Sequence, residues 1–334
     1  MLAKEQVVEI EKYKFTMEEL LDAIKIVRQS FAATPQMAWP LLANRSGVEV
    51  WVKHDNHLPT GAFKVRGGLV LADALLKGKY GPPPKGIITA TVGNHGLSQT
   101  FAGRKAGFDV TIIVPENNNP EKNAALKALG AELIEAGHDY SEAYDISIRM
   151  AKERGLFLIE PFLPELMRGV ATYALEFFNS VKDVDTFYVP IGMGSGISGV
   201  IRTRDLMGLK TKVVGVVASS APAHALSFEA GHVVTTNSAK TIADGVAVRI
   251  PKPQPVALIK QGADRIVQVS DAEVAEAIRA IHEDTHNMVE GAGAIAFAGL
   301  MHEREQMKGK RVGVVFCGAN IFRPLLADIL ANKL

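Results

Sequence analysis

Residues 87–96 read Ile87-Ile88-Thr89-Ala90-Thr91-Val92-Gly93-Asn94-His95-Gly96, and they set the architecture. The first four make a short buried strand. A turn of small residues follows, and beyond it Leu97, Phe101 and Ala102 recur at helical spacing. Asn94 can cap that helix, and exposed N–H groups at a helix start suit a carboxylate. The unit then repeats. Helices are expected at 94–106, 120–129 and 140–154, and strands at 110–114, 131–135 and 156–159. The loops are short and turn-rich, including residues 115–120 (PENNNP) and Gly130. Such alternation predicts a parallel α/β architecture. It reads as a small domain, residues 67–157, inserted within a larger one made of 1–66 and 158–334. The larger domain is expected to carry strands at 48–52, 186–191, 213–217, 266–269 and 312–316. Thr16 can cap a first helix, with Leu20, Leu21, Ile24 and Val27 apolar. Ligands of such sheets collect at the carboxyl ends of strands.

Two further motifs lie at those ends. Residues 53–68 read KHDNHLPTGAFKVRGG, in which Lys64 follows the small-residue turn Thr60-Gly61-Ala62 and Phe63. Such turns let a backbone approach a ligand closely, and Phe63 can pack on one side while Lys64 projects on the other. Lys53, His54 and Arg66 are close in sequence. Desolvation and neighbouring cations both lower a lysine pKa, which makes the amine nucleophilic enough for Schiff-base chemistry. A lysine beside an aromatic also fits a snorkelling surface residue. The other motif is a strand, Phe187-Tyr188-Val189-Pro190-Ile191, feeding Gly192-Met193-Gly194-Ser195-Gly196. Glycines there clear the way for backbone amides to converge on a phosphate. GMGSGISG fits the loose dinucleotide fingerprint as well, but Val213–Val217 is followed by Ala218 and Ser219 and no acidic ribose partner.

In this order and spacing the three motifs resemble the pyridoxal-phosphate β-family, the fold-type II threonine and serine dehydratases with their serine racemase relatives. The resemblance runs from Thr34-Pro35 to Cys317-Gly318-Ala319-Asn320 and is carried by the ordered set. It implies two open, mostly parallel twisted sheets flanked by helices, as in the tryptophan synthase β chain. It implies pyridoxal 5'-phosphate held by Lys64, with Phe63, Gly192, Met193, Gly194, Ser195 and Gly196 around it and Asn94 against its ring hydroxyl. Thr91, Gly93, Asn94 and His95 would form the substrate-carboxylate loop, although a histidine at a helix start also fits a structural role. Cys317 follows the apolar strand and fits a small buried hydrophobe. It also matches the family's serine or cysteine facing the pyridine nitrogen, where a neutral group is thought to favour β-elimination. Glu290 in VEGAGA and Asp244 in TIADGVAV match positions lining cofactor and substrate; each also fits a helix or turn cap.

Departures from the family pattern carry information of their own. Val92 stands where serine racemases place a serine that serves as second acid/base, so racemisation is expected to be poor. After the strand at 213–217 those relatives carry a metal site built partly from carboxylates; here residues 218–224 read ASSAPAH, so no metal is expected. Leu97 replaces a common glutamine and Ala62 a common serine. With Val92 they point to an apolar site and a β-substituent larger than that of serine, such as threonine's methyl or an aryl group.

The implied activity is loss of water from a β-hydroxy-α-amino acid of the threonine/serine type, giving a 2-oxo acid and ammonia. Alternatives are phenylserine or 3-hydroxyaspartate as substrate, an amino-acid racemase, a nicotinamide-dependent oxidoreductase using the glycine loop, and a non-enzymatic binding protein. The 334 residues allow about two domains, and a net charge of +1 offers no footprint for nucleic acid. One cysteine excludes an intramolecular disulfide and suits a reducing compartment. No apolar run reaches the roughly 18 residues of a membrane span, and the start, MLAKEQVVEIEKYK, lacks a signal core, so cytoplasm is expected. The end at Leu334 is expected to leave no room for the regulatory domain of some biosynthetic threonine dehydratases. A small amino-acid substrate and a homodimer are implied by the resemblance.

Overall fold

A computed structural model of the protein describes residues 10–334; most of the charged start on which the missing signal core was argued, residues 1–9, lies outside the described residues. The first helix is α1 (Met17–Arg28). Thr16 Oγ1 accepts from the Glu19 amide at 3.2 Å and the Glu19 carboxylate accepts from the Thr16 amide at 2.8 Å, a reciprocal cap. Leu20 and Val27 are buried and Ile24 half-buried, but Leu21 faces solvent. Ala23 takes the inward position instead.

Next come β1 (Gln36–Ala38), α2 (Pro40–Ser46), β2 (Glu49–Lys53) and α3 (Val65–Leu76), which starts directly after Lys64. The alternating run that follows is β3 (Gly86–Ala90), α4 (Asn94–Lys105), β4 (Asp109–Val114), α5 (Pro120–Ala128), β5 (Glu132–Glu135), α6 (Tyr140–Arg154) and β6 (Phe157–Leu158). Beyond it lie α7 (Pro164–Ser180), β7 (Thr186–Pro190), α8 (Ser195–Leu206), β8 (Lys212–Ala218), α9 (Ala223–Ala230) and α10 (Pro253–Gly262). The chain closes with β9 (Arg265–Val269), α11 (Asp271–Thr285), α12 (Gly291–His302), β10 (Arg311–Val315) and α13 (Arg323–Leu330).

Two sheets result, as the alternation predicts. One has six strands in the order β1-β2-β10-β7-β8-β9 and the other four in the order β5-β4-β3-β6. Every pairing is parallel except β1 with β2. Every residue of β3 and of β7 is buried, because helices cover both faces of a parallel sheet. The larger core centres on Phe177, Phe187, Tyr188 and Val314, with the Phe177 and Phe187 rings stacked at 4.6 Å. A second core joins Val65 and Leu71 of α3 to Ile112 and Leu126 under the four-stranded sheet. Leu97 lies in that second core.

Helix α3 packs against both α4 and α7, tying the two sheets together. It crosses α7 very closely: a Cβ on Gly169 would sit 2.4 Å from the Arg66 carbonyl oxygen, so only glycine fits. Among the described residues no helix is long and apolar enough to cross a membrane.

Candidate active site

The turn after β2 is laid alongside the turn after β10 by main-chain bonds. The Phe63 amide donates to the Cys317 carbonyl at 2.9 Å and the Ala319 amide to the Gly61 carbonyl at 2.8 Å. Gly61 has φ +66°, and a Cβ there would lie 2.5 Å from Asn320 Oδ1, so the turn requires glycine. Lys64 leaves this turn half-buried, its Nζ 4.8 Å from the Phe63 ring centroid. No carboxylate lies within ion-pair distance of that Nζ among the described residues. Burial pushes the Lys64 pKa down, against the opposing pull of Cys317, Glu290 and Asp244.

The sequence suggested neighbouring cations as a second cause, and the structure corrects this. Lys53 and Arg66 turn away into a separate buried network. Arg66 holds Asp55 at 2.7 and 3.0 Å and Glu176 at 2.9 Å through two nitrogens, while Lys53 Nζ reaches Glu176 at 2.6 Å. These cations hold the Glu176 carboxyl, despite its burial, down at about 2.

A second correction concerns Asn94. The cap residue of α4 is Gly93, and Asn94 is the first helical residue. Thr91 satisfies the helix start instead, its Oγ1 accepting from the amides of Gly93 at 3.0 Å and Gly96 at 3.2 Å. The Asn94 side chain is thereby released toward the site. Its Oδ1 accepts from Asn320 Nδ2 at 2.8 Å, and its Nδ2 donates to Glu290 Oε1. The backbone amides of Asn94 and His95 meet no oxygen among the described residues. His95 Nε2 is buried without a hydrogen-bond partner. Burial, with the Lys64 charge nearby, pushes its pKa down to about 3, so the ring is neutral.

Across from this loop, Gly192, Met193 and Gly194 join β7 to α8. Gly194 has φ +96°, and a Cβ on it would sit 2.5 Å from Pro255 Cβ. The amides of residues 193–197 meet no oxygen among the described residues, and the first three of them precede or open a helix whose dipole favours an anion. Gly196 faces Phe63: a Cβ there would be in ordinary contact with the ring at 3.5 Å. The other neighbour of that ring is Tyr173, edge-on at 6.1 Å. Ser195 is buried and Met193 half-buried. His224, in the first turn of α9, is held neutral by burial, at about 4, against an opposing pull from the Gly192 backbone. The described residues contain no cluster of three or more His, Cys, Asp or Glu gathered as for a metal ion.

Cys317 is buried and its thiol donates to the Ala292 carbonyl at 3.2 Å. Burial and the nearby Glu290 push its pKa up, so it is a neutral thiol. Glu290 sits at the cap position of α12 but makes no side-chain cap bond, which removes the capping alternative. Its Oε2 is buried without a hydrogen-bond partner, and burial pushes the carboxyl up to about 7. Asp244 opens a short 3-10 turn and forms an ion pair with Lys122 of α5.

Three residues that touch this site were not singled out from the sequence: Lys122, Asn320 and His224. Asn320 lies within a recognised turn but only its spatial partners show what it does. Lys122 has no signal at all, since a lysine in the first turns of a polar helix reads as a solvated side chain.

The residues fit a phosphorylated pyridine aldehyde. An unpaired, desolvated amine stands between two groups of free amides, with a neutral thiol and an amide side chain arranged around the space between them. A family model described as pyridoxal-phosphate dependent enzyme matches residues 27–318. L-threonine ammonia-lyase of Thermotoga maritima is 30% identical over 319 residues, which is 95% of this chain and 78% of that protein. L-threo-3-hydroxyaspartate ammonia-lyase of Saccharomyces cerevisiae is 29% identical over 319 residues, 95% of this chain and 97% of that one. The solved structure of the processed form of threonine deaminase isoform 2 from Solanum lycopersicum aligns with a TM-score of 0.87 at 28% identity, covering 95% of this chain and 88% of that chain. The dinucleotide and non-enzymatic alternatives for the glycine loop fall away with these matches. With most of its length matched and its three motifs gathered around one amine, the chain belongs to the pyridoxal-phosphate-dependent enzyme family.

Proposed function

We propose that the protein is an ammonia-lyase that removes water from a β-hydroxy-α-amino acid of the threonine type, giving a 2-oxo acid and ammonia. The observation that carries this reading is the unpaired Lys64 amine flanked by the free amides of residues 193–197 and of Asn94 and His95. Lys64 would hold the cofactor and, as a free amine, would move the Cα proton; its lowered pKa leaves it able to accept one. Pyridoxal phosphate supplies the electron sink for the charge left on Cα. Gly192, Met193, Gly194, Ser195 and Gly196 hold the phosphate, with Phe63 beneath. Thr91, Gly93, Asn94 and His95 orient the substrate carboxylate, and Asn94 with Glu290 borders the ring. The neutral Cys317 thiol would serve as the partner of the ring nitrogen. Asp244 borders the substrate side through its pair with Lys122.

Threonine is favoured over 3-hydroxyaspartate by one observation: Lys122 is already paired with Asp244. That pairing occupies the charge that a second substrate carboxylate would need from Lys122. Val92, half-buried in the carboxylate loop, has no exchangeable proton and disfavours racemisation. The test is oxo-acid formation from L-threonine, L-serine, L-threo-phenylserine and 3-hydroxyaspartate, with D-isomers assayed in parallel. Fastest turnover of 3-hydroxyaspartate, or racemisation outpacing elimination, would displace this reading.

Cys317→Asp places a carboxyl where a neutral thiol now stands. Elimination is expected to fall at least about tenfold, a change of roughly 1.4 kcal/mol in the barrier, with a larger share of side products. Cys317→Ser replaces the thiol by a neutral hydroxyl that can still donate to the Ala292 carbonyl, and should stay within that factor. Oxo-acid yield and the cofactor absorption band report both, and an unchanged product ratio in Cys317→Asp counts against the placement.

We also propose that residues 67–157 form the small domain, with 1–66 and 158–334 the larger, cofactor-binding one. The four-stranded sheet draws its strands from residues 86–158 and the six-stranded sheet from the rest, which supports the division. A homodimer in the cytoplasm completes the proposal. Sedimentation equilibrium tests the first part and cell fractionation the second.

A further inference from the structure

Lys122 is a buried cation that the proposed reaction does not use. It belongs to α5, beside the four-stranded sheet, and is only 5% exposed. Its stem runs against the carboxylate loop: a Cβ on Gly93 would lie 2.5 Å from Lys122 Cδ and 3.1 Å from its Nζ. The ammonium then crosses to groups carried by the other half of the molecule. It pairs with Asp244 and stands 4.0 Å from Glu290 Oε2, the oxygen that has no hydrogen-bond partner.

Glu290 is 2% exposed, and the groups that act on it come from every side. Lys122 reaches it from α5, Asp244 from the 3-10 turn, Asn94 from α4, Lys64 from the turn before α3, and Cys317 from the end of β10. Lys122, Asn94 and Lys64 favour the carboxylate; Asp244 and burial favour the acid. Of the two cations, Lys64 changes its charge during the proposed reaction. Lys122 does not.

The ionisation of Glu290 decides how firmly the Asn94 amide is held. Asn320 donates one N–H to the Thr60 carbonyl at 2.8 Å, so its NH2 group, not its oxygen, faces Asn94. Asn94 must therefore turn Oδ1 toward Asn320 and Nδ2 toward Glu290. A carboxylate can only accept, and it locks that arrangement. A protonated Glu290 is a weaker acceptor and carries a proton of its own, which loosens that hold.

We propose that Lys122 is a positioning residue: it holds Glu290 as a carboxylate and, through it, fixes the Asn94 amide that borders the cofactor ring. This rests on the reading of the site given above. An opposite charge at this range lowers a carboxyl pKa by about 1–3 units. Without Lys122, Glu290 takes up a proton at correspondingly higher pH.

The sign for stability follows. Glu290 titrates higher in the folded chain than when unfolded, so its favourable contribution is present at low pH and fades as pH rises through about 7. Lys122→Met moves that window upward by at least about one unit; Lys122→Arg, which keeps the charge, leaves it within half of that. Two measurements read the effect: thermal unfolding of the cofactor-free protein from pH 5 to 9, and titration of that protein with pyridoxal phosphate over the same range. At pH 8 the cofactor affinity of Lys122→Met should be about tenfold weaker than wild type, and Glu290→Gln should flatten the unfolding profile whether or not Lys122 is present. If Lys122→Met does not fold, the flattening in Glu290→Gln and the retention in Lys122→Arg still decide. Identical pH profiles for wild type, Lys122→Met and Glu290→Gln overturn the proposal. A wild type that binds no pyridoxal phosphate overturns the functional reading beneath it, and this shows in the titration while the unfolding profiles report on Lys122 separately.

Discussion

Lys64→Ala should abolish turnover, with kcat reduced by roughly 10⁴-fold or more, the scale on which loss of a reacting base or nucleophile is felt. Alanine supplies neither an amine to bind the cofactor nor a base for the Cα proton. The fold should survive the change. Lys64 Nζ holds no ion pair, and the residue's structural bonds are made by its carbonyl, which accepts from Ser98 Oγ at 2.6 Å and from the Gly68 amide at 3.1 Å. Thermal unfolding close to wild type, together with loss of oxo-acid production, is therefore the expected pair of results. Borohydride should leave a cofactor-sized mass label on the wild-type peptide containing Lys64 and none on the variant. Substantial turnover in Lys64→Ala would remove the chemical assignment altogether.

The second large effect falls on stability. Arg66→Met should cost about 3–5 kcal/mol, the range measured when one partner of a buried ion pair is removed. Asp55 is fully buried and takes two of its hydrogen bonds from Arg66; Thr34 Oγ1, at 2.6 Å, supplies a third. Methionine fills much of the space but leaves Asp55 charged and unpaired. Glu176 is less exposed to the loss, because Lys53 and Arg28 still reach it at 2.6 and 2.7 Å. Urea denaturation should show the midpoint falling with little change in slope. Breaking the solvent-exposed pair of Lys25 and Asp22 by Lys25→Ala should leave that midpoint where it is. An unchanged midpoint in Arg66→Met would overturn the assignment of this network as a major source of stability.

The parts of this molecule that could be read from its sequence are those whose meaning is local. Each of β3 and β7 is a short, mostly apolar run buried throughout, because both of its faces are covered, and the turn that follows it contains the glycines needed there. Lys64, the glycine loop and the carboxylate loop could all be placed this way. Asn94 was misassigned as a cap because two capping side chains compete three residues apart, and Thr91 takes the helix amides. Leu97 belongs to the second core, a placement that the turn before it does not announce. The strand β1 is three residues long and largely exposed, too short to leave a hydrophobic period. Lys122 is the deepest omission. Its partner Asp244 lies 122 residues away, and nothing near either residue announces the other.

The six-stranded order has a consequence for how the protein is made. Strand β10 pairs with β2 on one side and β7 on the other, so residues 311–315 are inserted between two segments synthesised long before them. The Lys64 turn takes its main-chain partners from residues 317 and 319. A ribosome-bound chain that has not yet released those residues has the lysine but lacks the wall it leans on. The wall behind Lys64 is therefore complete only when β10 lies between β2 and β7. Closing so large a loop is slow relative to local helix formation, and until it closes the flanks of β2 and β7 are open edges that invite association with other chains.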